Sequence, residues 1–176
     1  MHSQQLKKWR NRNLYYYRDL EKLCQFLVQP RSSVLEVGSG LGYLLNSVEP
    51  KAGMGIDISS LAIEDAGQRF PELDFHAEDV EEFSPDRVFS YVLVANTLSY
   101  VQNIQKALHN IHKACEPSTR LVLSFHNPAW EPILKLAILI KQRMPLPFLN
   151  WLSFEDIENL LNLSGFEVIS HDAQST

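Results

Sequence analysis

Helix-like and strand-like stretches alternate along these 176 residues, which predicts an α/β fold with helices packed on a mostly parallel central sheet. Two local patterns point the same way. The apolar run Val34-Leu35-Glu36-Val37 enters the turn Gly38-Ser39-Gly40-Leu41-Gly42 and then an apolar segment, which is the strand, loop and helix order of a nucleotide-binding unit. Asp57 ends the next strand about 20 residues on, the distance at which a carboxylate meets a ribose in a βαβ crossover.

Element by element, Leu14 to Val28 carries Tyr16, Leu20, Leu23, Cys24 and Leu27 as a helical stripe that stops at Pro30. The first strand follows directly. After Asp57 a helix runs from about Ser60 to Phe70 and is closed by Pro71. The third strand begins with Asp74, and a fourth lies near Val88 to Val94. A helix with Ile104, Leu108, Ile111 and Cys115 on one face is ended by Pro117, and Arg120 to Phe125 is a fifth buried strand. Ile133 to Ile140 reads as an apolar helix, too short for the ~20 apolar residues that span a bilayer. Ser153 and Asp156 form a capping pair for a helix reaching Leu163, and Gly165 ends it before a strand from Phe166 to Ser170.

A chain of this length suits a single domain: residues 1–30 as a helical cap, 31–126 as the ligand-binding core, and 127–176 as a lid helix followed by a helix and strand. The formal net charge of −5 argues against a nucleic-acid surface, because neutralising phosphates takes clustered Lys and Arg. Cys24 and Cys115 are isolated and no secretory leader is evident, so reduced thiols and a cytoplasmic location are expected. The basic opening Lys7-Lys8-Trp9-Arg10-Asn11-Arg12, with Tyr15, Tyr16 and Tyr17, is either a lid over the ligand or an amphipathic helix with a solvated face. His109 and His112 share a helix face without a third ligand nearby, so no metal site is expected.

The glycine loop departs from the dinucleotide fingerprint. Tyr43 stands where Gly-x-Gly-x-x-Gly has its third glycine, and Gly42 comes one residue early, so the loop suits a ligand with a ribose but without a pyrophosphate. Glu36 is costly inside a buried parallel strand unless it is hydrogen-bonded, which calls for a cationic ligand or backbone amides nearby.

With these motifs in order, the chain resembles the class I S-adenosylmethionine-dependent methyltransferases over most of its length. The resemblance implies a Rossmann-like three-layer sandwich and S-adenosyl-L-methionine as cofactor. It implies that Glu36, Gly38, Ser39, Gly40 and Gly42 belong to the loop under the methionine part, that Asp57 binds both ribose hydroxyls, and that Ile58 packs on the adenine. In Asp74-Phe75-His76-Ala77-Glu78-Asp79-Val80, Asp79 then accepts from the adenine amino group and Val80 offers its backbone amide. Asn96 and Leu98, at the exit of Tyr91-Val92-Leu93-Val94-Ala95-Asn96-Thr97-Leu98, contact the methionine end and face the acceptor. The family's seventh strand has no segment left to form it, which leaves a sheet edge open to pairing. More narrowly, the Tyr-rich start, Asn127-Pro128-Ala129-Trp130-Glu131-Pro132 and Asn150-Trp151-Leu152-Ser153 resemble bacterial methyltransferase domains found beside glycosyltransferases. This implies a small-molecule acceptor such as the oxygen of a saccharide or lipid-linked glycan, and a glycosyltransferase domain as partner.

For a weakly acidic acceptor a base is required, and His126 stands at the carboxyl end of a central strand with a suitable pKa. The alternative reading is a satisfied histidine in a tight turn before Pro128, and Asn96 and Tyr100 are alternative polar groups. Phe125-His126-Asn127-Pro128 resembles the motif of amino-group methyltransferases but follows the fifth strand instead of the fourth, which counts against base or amide nitrogen as acceptor. Two other functions compete with the enzyme: a cofactor-binding module without turnover in a glycan-assembly protein, and a nicotinamide oxidoreductase, against which Tyr43 counts.

Overall fold

The computed structural model describes residues 10–125, 150 and 152–169. Its sheet has five strands, β1 (Ser33–Val37), β2 (Ala52–Asp57), β3 (Asp74–Ala77), β4 (Phe89–Ala95) and β5 (Cys115–Ser124), in the order β3-β2-β1-β4-β5 with every pair parallel. The helices are α1 (Leu14–Leu27), α2 (Tyr43–Ser47), α3 (Ser60–Arg69), α4 (Ile104–Lys113) and α5 (Phe154–Leu163). This is the predicted α/β class.

Side chains on adjacent strand positions face opposite ways, so the central strands feed two cores. Val34 and Leu93 pack with Leu20, Cys24 and Val28 of the α1 region and with Leu44 and Leu45 of α2. Leu35, Val37, Val92 and Val94 pack instead with Leu108 and Ile111 of α4 and with Ile157 and Leu161 of α5. Burial on both faces is why these strands are apolar without alternation. Along α1 the stripe holds for Leu20 and Cys24, but Leu27 is 40% exposed and Val28 takes the inward place. Cys24 and Cys115 are free thiols, pushed by burial up to about 12 and about 11.

Register sets up the functional end of the sheet. Val37 is level with Ile56 on one side and Val94 on the other, so the segments leaving β1, β2 and β4 emerge side by side. Strand order reverses between β1 and β4, and a crevice beyond the carboxyl ends at such a reversal is where open α/β sheets bind ligands.

Two predicted elements differ. Cys115 opens β5 instead of closing α4, and Glu116 to Thr119, Pro117 included, occupy a register shift opposite Phe89 to Tyr91. Proline has no amide to give the ladder, and there the Thr119 hydroxyl donates to the Phe89 carbonyl at 2.5 Å. Phe166 to Ile169 form no strand, and Ser170 lies outside the described residues. Phe166 and Val168 do turn inward as the alternation suggests, but the Phe166 amide donates to Leu161 of α5 at 3.0 Å. The capping box of Ser153 and Asp156 is formed, and Gly165 ends α5 at φ 88°. The apolar segment 133–140 lies outside the described residues, and among the described ones no helix is long and apolar enough to cross a membrane.

Candidate functional site

The glycine loop is anchored to β2, not merely adjacent to it. The amides of Gly38 and Ser39 both donate to the Ile56 carbonyl, at 2.8 and 3.0 Å, and the Gly40 amide donates to Asp57 Oδ2 at 2.9 Å. Gly38 sits at φ +76°, and a Cβ there would lie 2.1 Å from Thr97 Oγ1. Gly40, at φ +52°, has nothing within 4 Å of where a Cβ would stand, so its side of the loop is open for a ligand. Gly42 faces Phe75, 2.5 Å from an added Cβ, and begins α2. Ser39 is buried with its hydroxyl unpartnered among the described residues, lodged where Gly55 lacks a side chain.

Glu36 lies beneath this loop, 3% exposed, and its Oε2 accepts from the Leu45 amide of α2 at 2.9 Å. The backbone donor expected for a buried carboxylate is therefore present. Burial holds its pKa well above the usual carboxylate range; the Leu45 amide opposes this, and Asp57 and Glu21 reinforce it.

Asp57 ends β2 with both carboxylate oxygens in use, Oδ2 by Gly40 and Oδ1 by the Ser59 amide at 2.8 Å. Ile58 follows with 78% of its surface exposed, an apolar side chain standing free at the sheet's end. The Glu78 amide donates to the Asp57 carbonyl at 3.0 Å and so brings Asp79 to the same edge, where Asp79 Oδ1 accepts from the Glu81 amide at 2.9 Å. The side chains of Val80 and Leu98 are in the core, which leaves only their backbone groups for a ligand.

At the exit of β4 the chain turns sharply. Asn96 has φ 55°, an uncommon state for a residue with a side chain, and its amide still donates to the Ser124 carbonyl at 2.9 Å. The Asn96 side-chain amide donates to the Tyr16 hydroxyl of α1, while its Oδ1 is buried without a partner among the described residues. Thr97 Oγ1 donates to the Val37 carbonyl at 2.9 Å and so ties the β4 exit to the start of the glycine loop. Sequence reasoning assigned no role to Thr97 or to the Tyr16 hydroxyl; the signal available was a hydroxyl right after a central strand and a tyrosine on an otherwise apolar stripe.

Glu36, the loop glycines, Ser39, Asp57, Ile58, Asp79 and Asn96 thus share the carboxyl end of β1 to β4. Arg10 of the basic opening lies near the loop through Tyr43, while residues 1–9 lie outside the described set, as do His126 and residues 127–149, on which the expected lid helix falls. His109 and His112 are exposed on α4, His112 edge-on to Phe166, and no group of three or more His, Cys, Asp or Glu among the described residues could hold a metal ion.

A family model described as a methyltransferase domain matches residues 8–171. An S-adenosylmethionine-dependent methyltransferase structure from Thermotoga maritima superposes with a TM-score of 0.76 at 17% identity, over 94% of this chain and 77% of that one. The N-methyltransferase NodS from Bradyrhizobium japonicum, solved with S-adenosyl-L-homocysteine, is 26% identical with a TM-score of 0.54, over 59% of each chain. A malonyl-[acyl-carrier protein] O-methyltransferase from Bacillus cereus is 29% identical over 44% of this chain and 31% of its own length. The chain spans less than half the length of the curated relatives it matches. With nearly the whole chain matched, and with the loop, Asp57 and the β1–β4 crevice placed as they are, the chain belongs to the methyltransferase domain family.

Proposed function

We propose that this chain binds S-adenosylmethionine across the carboxyl ends of β2, β1 and β4 and transfers its methyl group to a small-molecule acceptor. The observation that carries this reading is the coupling of Asp57 to the Gly40 amide beside the only loop glycine whose missing side chain opens on empty space. A ribose diol fits a carboxylate already oriented by two backbone amides, and the free Ile58 side chain offers an apolar seat for a purine. The oxygens of Ser39 and Asn96, without partners among the described residues, suit a polar amino-acid end.

The cofactor supplies a methyl on a sulfonium, and the protein supplies position and a suitable field. Asp57 and Asp79 orient the nucleoside, Gly40 admits it, and Asn96 stands at the acceptor side. His126, next in the sequence after Phe125, serves as base where the acceptor is an alcohol. The relatives named above differ in what they methylate, so the preference for a saccharide or lipid-linked glycan oxygen, and for a glycosyltransferase as partner, rests on the resemblance of the Tyr-rich start and of residues 127–132 and 150–153.

Calorimetric titration with S-adenosylmethionine, S-adenosylhomocysteine and NAD tests the cofactor. Micromolar binding of both adenosyl ligands without NAD is expected. Binding of NAD alone would overturn the reading, and adenosyl binding without turnover on any glycan acceptor would favour a binding module.

A further inference from the structure

We propose that Tyr16 is a positioning residue for the ligand: its hydroxyl, carried by α1 to the exit of β4, fixes the Asn96 side-chain amide so that the free carbonyl oxygen receives an N–H donor from the amino-acid end of the cofactor. The inference deepens the proposed function and rests on it. Three of the four handles on Asn96 are accounted for. Its backbone is held at φ 55° by the bond to Ser124, the next residue is held to β1 through Thr97, and its side-chain nitrogen is taken by Tyr16. Only Oδ1 is left, buried and without a partner among the described residues.

A buried amide oxygen that lacks a donor is expensive, and such an atom beside a ligand crevice is explained by the ligand that satisfies it. The phenol can accept from the amide nitrogen or donate to the amide oxygen, so in either orientation the Tyr16 hydroxyl holds one end of the Asn96 amide and leaves the other end for a ligand; in the orientation seen, the end left is the carbonyl oxygen. The ring of Tyr16 is packed against the α1 and β4 core, which keeps the hydroxyl at a fixed place. Burial raises the phenol's pKa against the lowering effect of Asn96 and Ser124, so it remains a neutral hydroxyl.

Tyr16→Phe keeps the ring and its packing and removes only the hydroxyl. Calorimetry on the full chain would compare S-adenosylhomocysteine with 5′-methylthioadenosine, which shares the nucleoside and thioether but has no amino-acid end. The expected result is a loss of about five- to tenfold in affinity for S-adenosylhomocysteine with unchanged affinity for methylthioadenosine, alongside a lower melting temperature from the Asn96 amide left without its phenol acceptor. Asn96→Gly, which tolerates the positive φ, should show the same ligand selectivity, and the double variant should be no weaker than Asn96→Gly alone. Equal S-adenosylhomocysteine affinity in Tyr16→Phe and the native chain overturns the proposal while leaving the cofactor reading intact. Equal loss of both ligands also overturns it, since that marks a packing role. If the folded native chain binds neither ligand, the cofactor reading fails first and the proposal falls with it.

Discussion

The guanidinium carbon of Arg10 lies 3.9 Å from the centroid of the Tyr43 ring, which joins the segment ahead of α1 to the residue that follows the glycine loop. Arg69 approaches the same ring at 5.0 Å, and Arg10 also forms a half-buried ion pair with Glu21 at 2.7 Å. The basic opening is thus engaged at Arg10 and is not wholly a solvated face. Arg10→Ala should lower stability by about 0.5–2 kcal/mol in urea denaturation, from the cation–π contact together with the ion pair. Tyr43→Ala combined with Arg10→Ala should cost less than the sum of the two single changes; strict additivity would show that the pair is not coupled.

The loop glycines should separate folding from binding. In Gly38→Ala the new Cβ strikes Thr97 in a left-handed backbone state, so the chain should lose stability, read as a lower melting temperature. The Cβ of Gly40→Val finds no atom within 4 Å beyond its chain neighbours, although it too is strained at positive φ. It should remain folded and lose S-adenosylhomocysteine binding, and a folded Gly40→Val of native affinity would remove the open side of the loop from the site.

Asp57→Ala deletes the carboxylate that orders both Gly40 and Ser59. Cofactor binding should weaken by about 1–3 kcal/mol, the usual cost of losing hydrogen bonds to a charged group. An unchanged dissociation constant in calorimetry would take Asp57 out of the site.

Glu36 should make stability fall as pH rises. Its folded pKa is raised, so the folded state holds a proton that the unfolded state releases near pH 4.3. Its favourable contribution is therefore full below that pH and is lost progressively as pH rises through the folded-state pKa. The slope is at most about 1.4 kcal/mol per pH unit. Glu36→Gln keeps an oxygen for the Leu45 amide and should flatten this dependence in denaturant melts taken across the window. A native profile parallel to that of Glu36→Gln would contradict the raised pKa.

How much could be read in advance differs from element to element. The buried strands, the loop of Gly38 to Gly42, Asp57 at a strand end and the Ser153 cap were evident because each is encoded locally, by unbroken apolar runs, by residues that tolerate positive φ, and by a side chain reaching its own helix's amides. Phe166 to Ile169 carry the period of a strand and are not one, because a strand exists only where a second backbone completes its hydrogen bonds, and no period within one segment reports a partner. Pro117 looked like a helix stop for a related reason: the shift that admits it into β5 is created by pairing with Phe89 to Tyr91.

The amino-acid sequence by itself determined the α/β layering, the glycine loop and the acidic residue that faces it, since these depend on neighbours within a few positions. Tertiary structure alone decided that Gly40, not Gly38 or Gly42, is the open glycine, that Thr97 locks β4 to the loop, and that Tyr16 meets Asn96 across 80 positions of chain. Those relationships follow from strand order and register, which place distant segments at one level of the sheet. Contacts between side chains so far apart in the chain leave no period or spacing in it to be read.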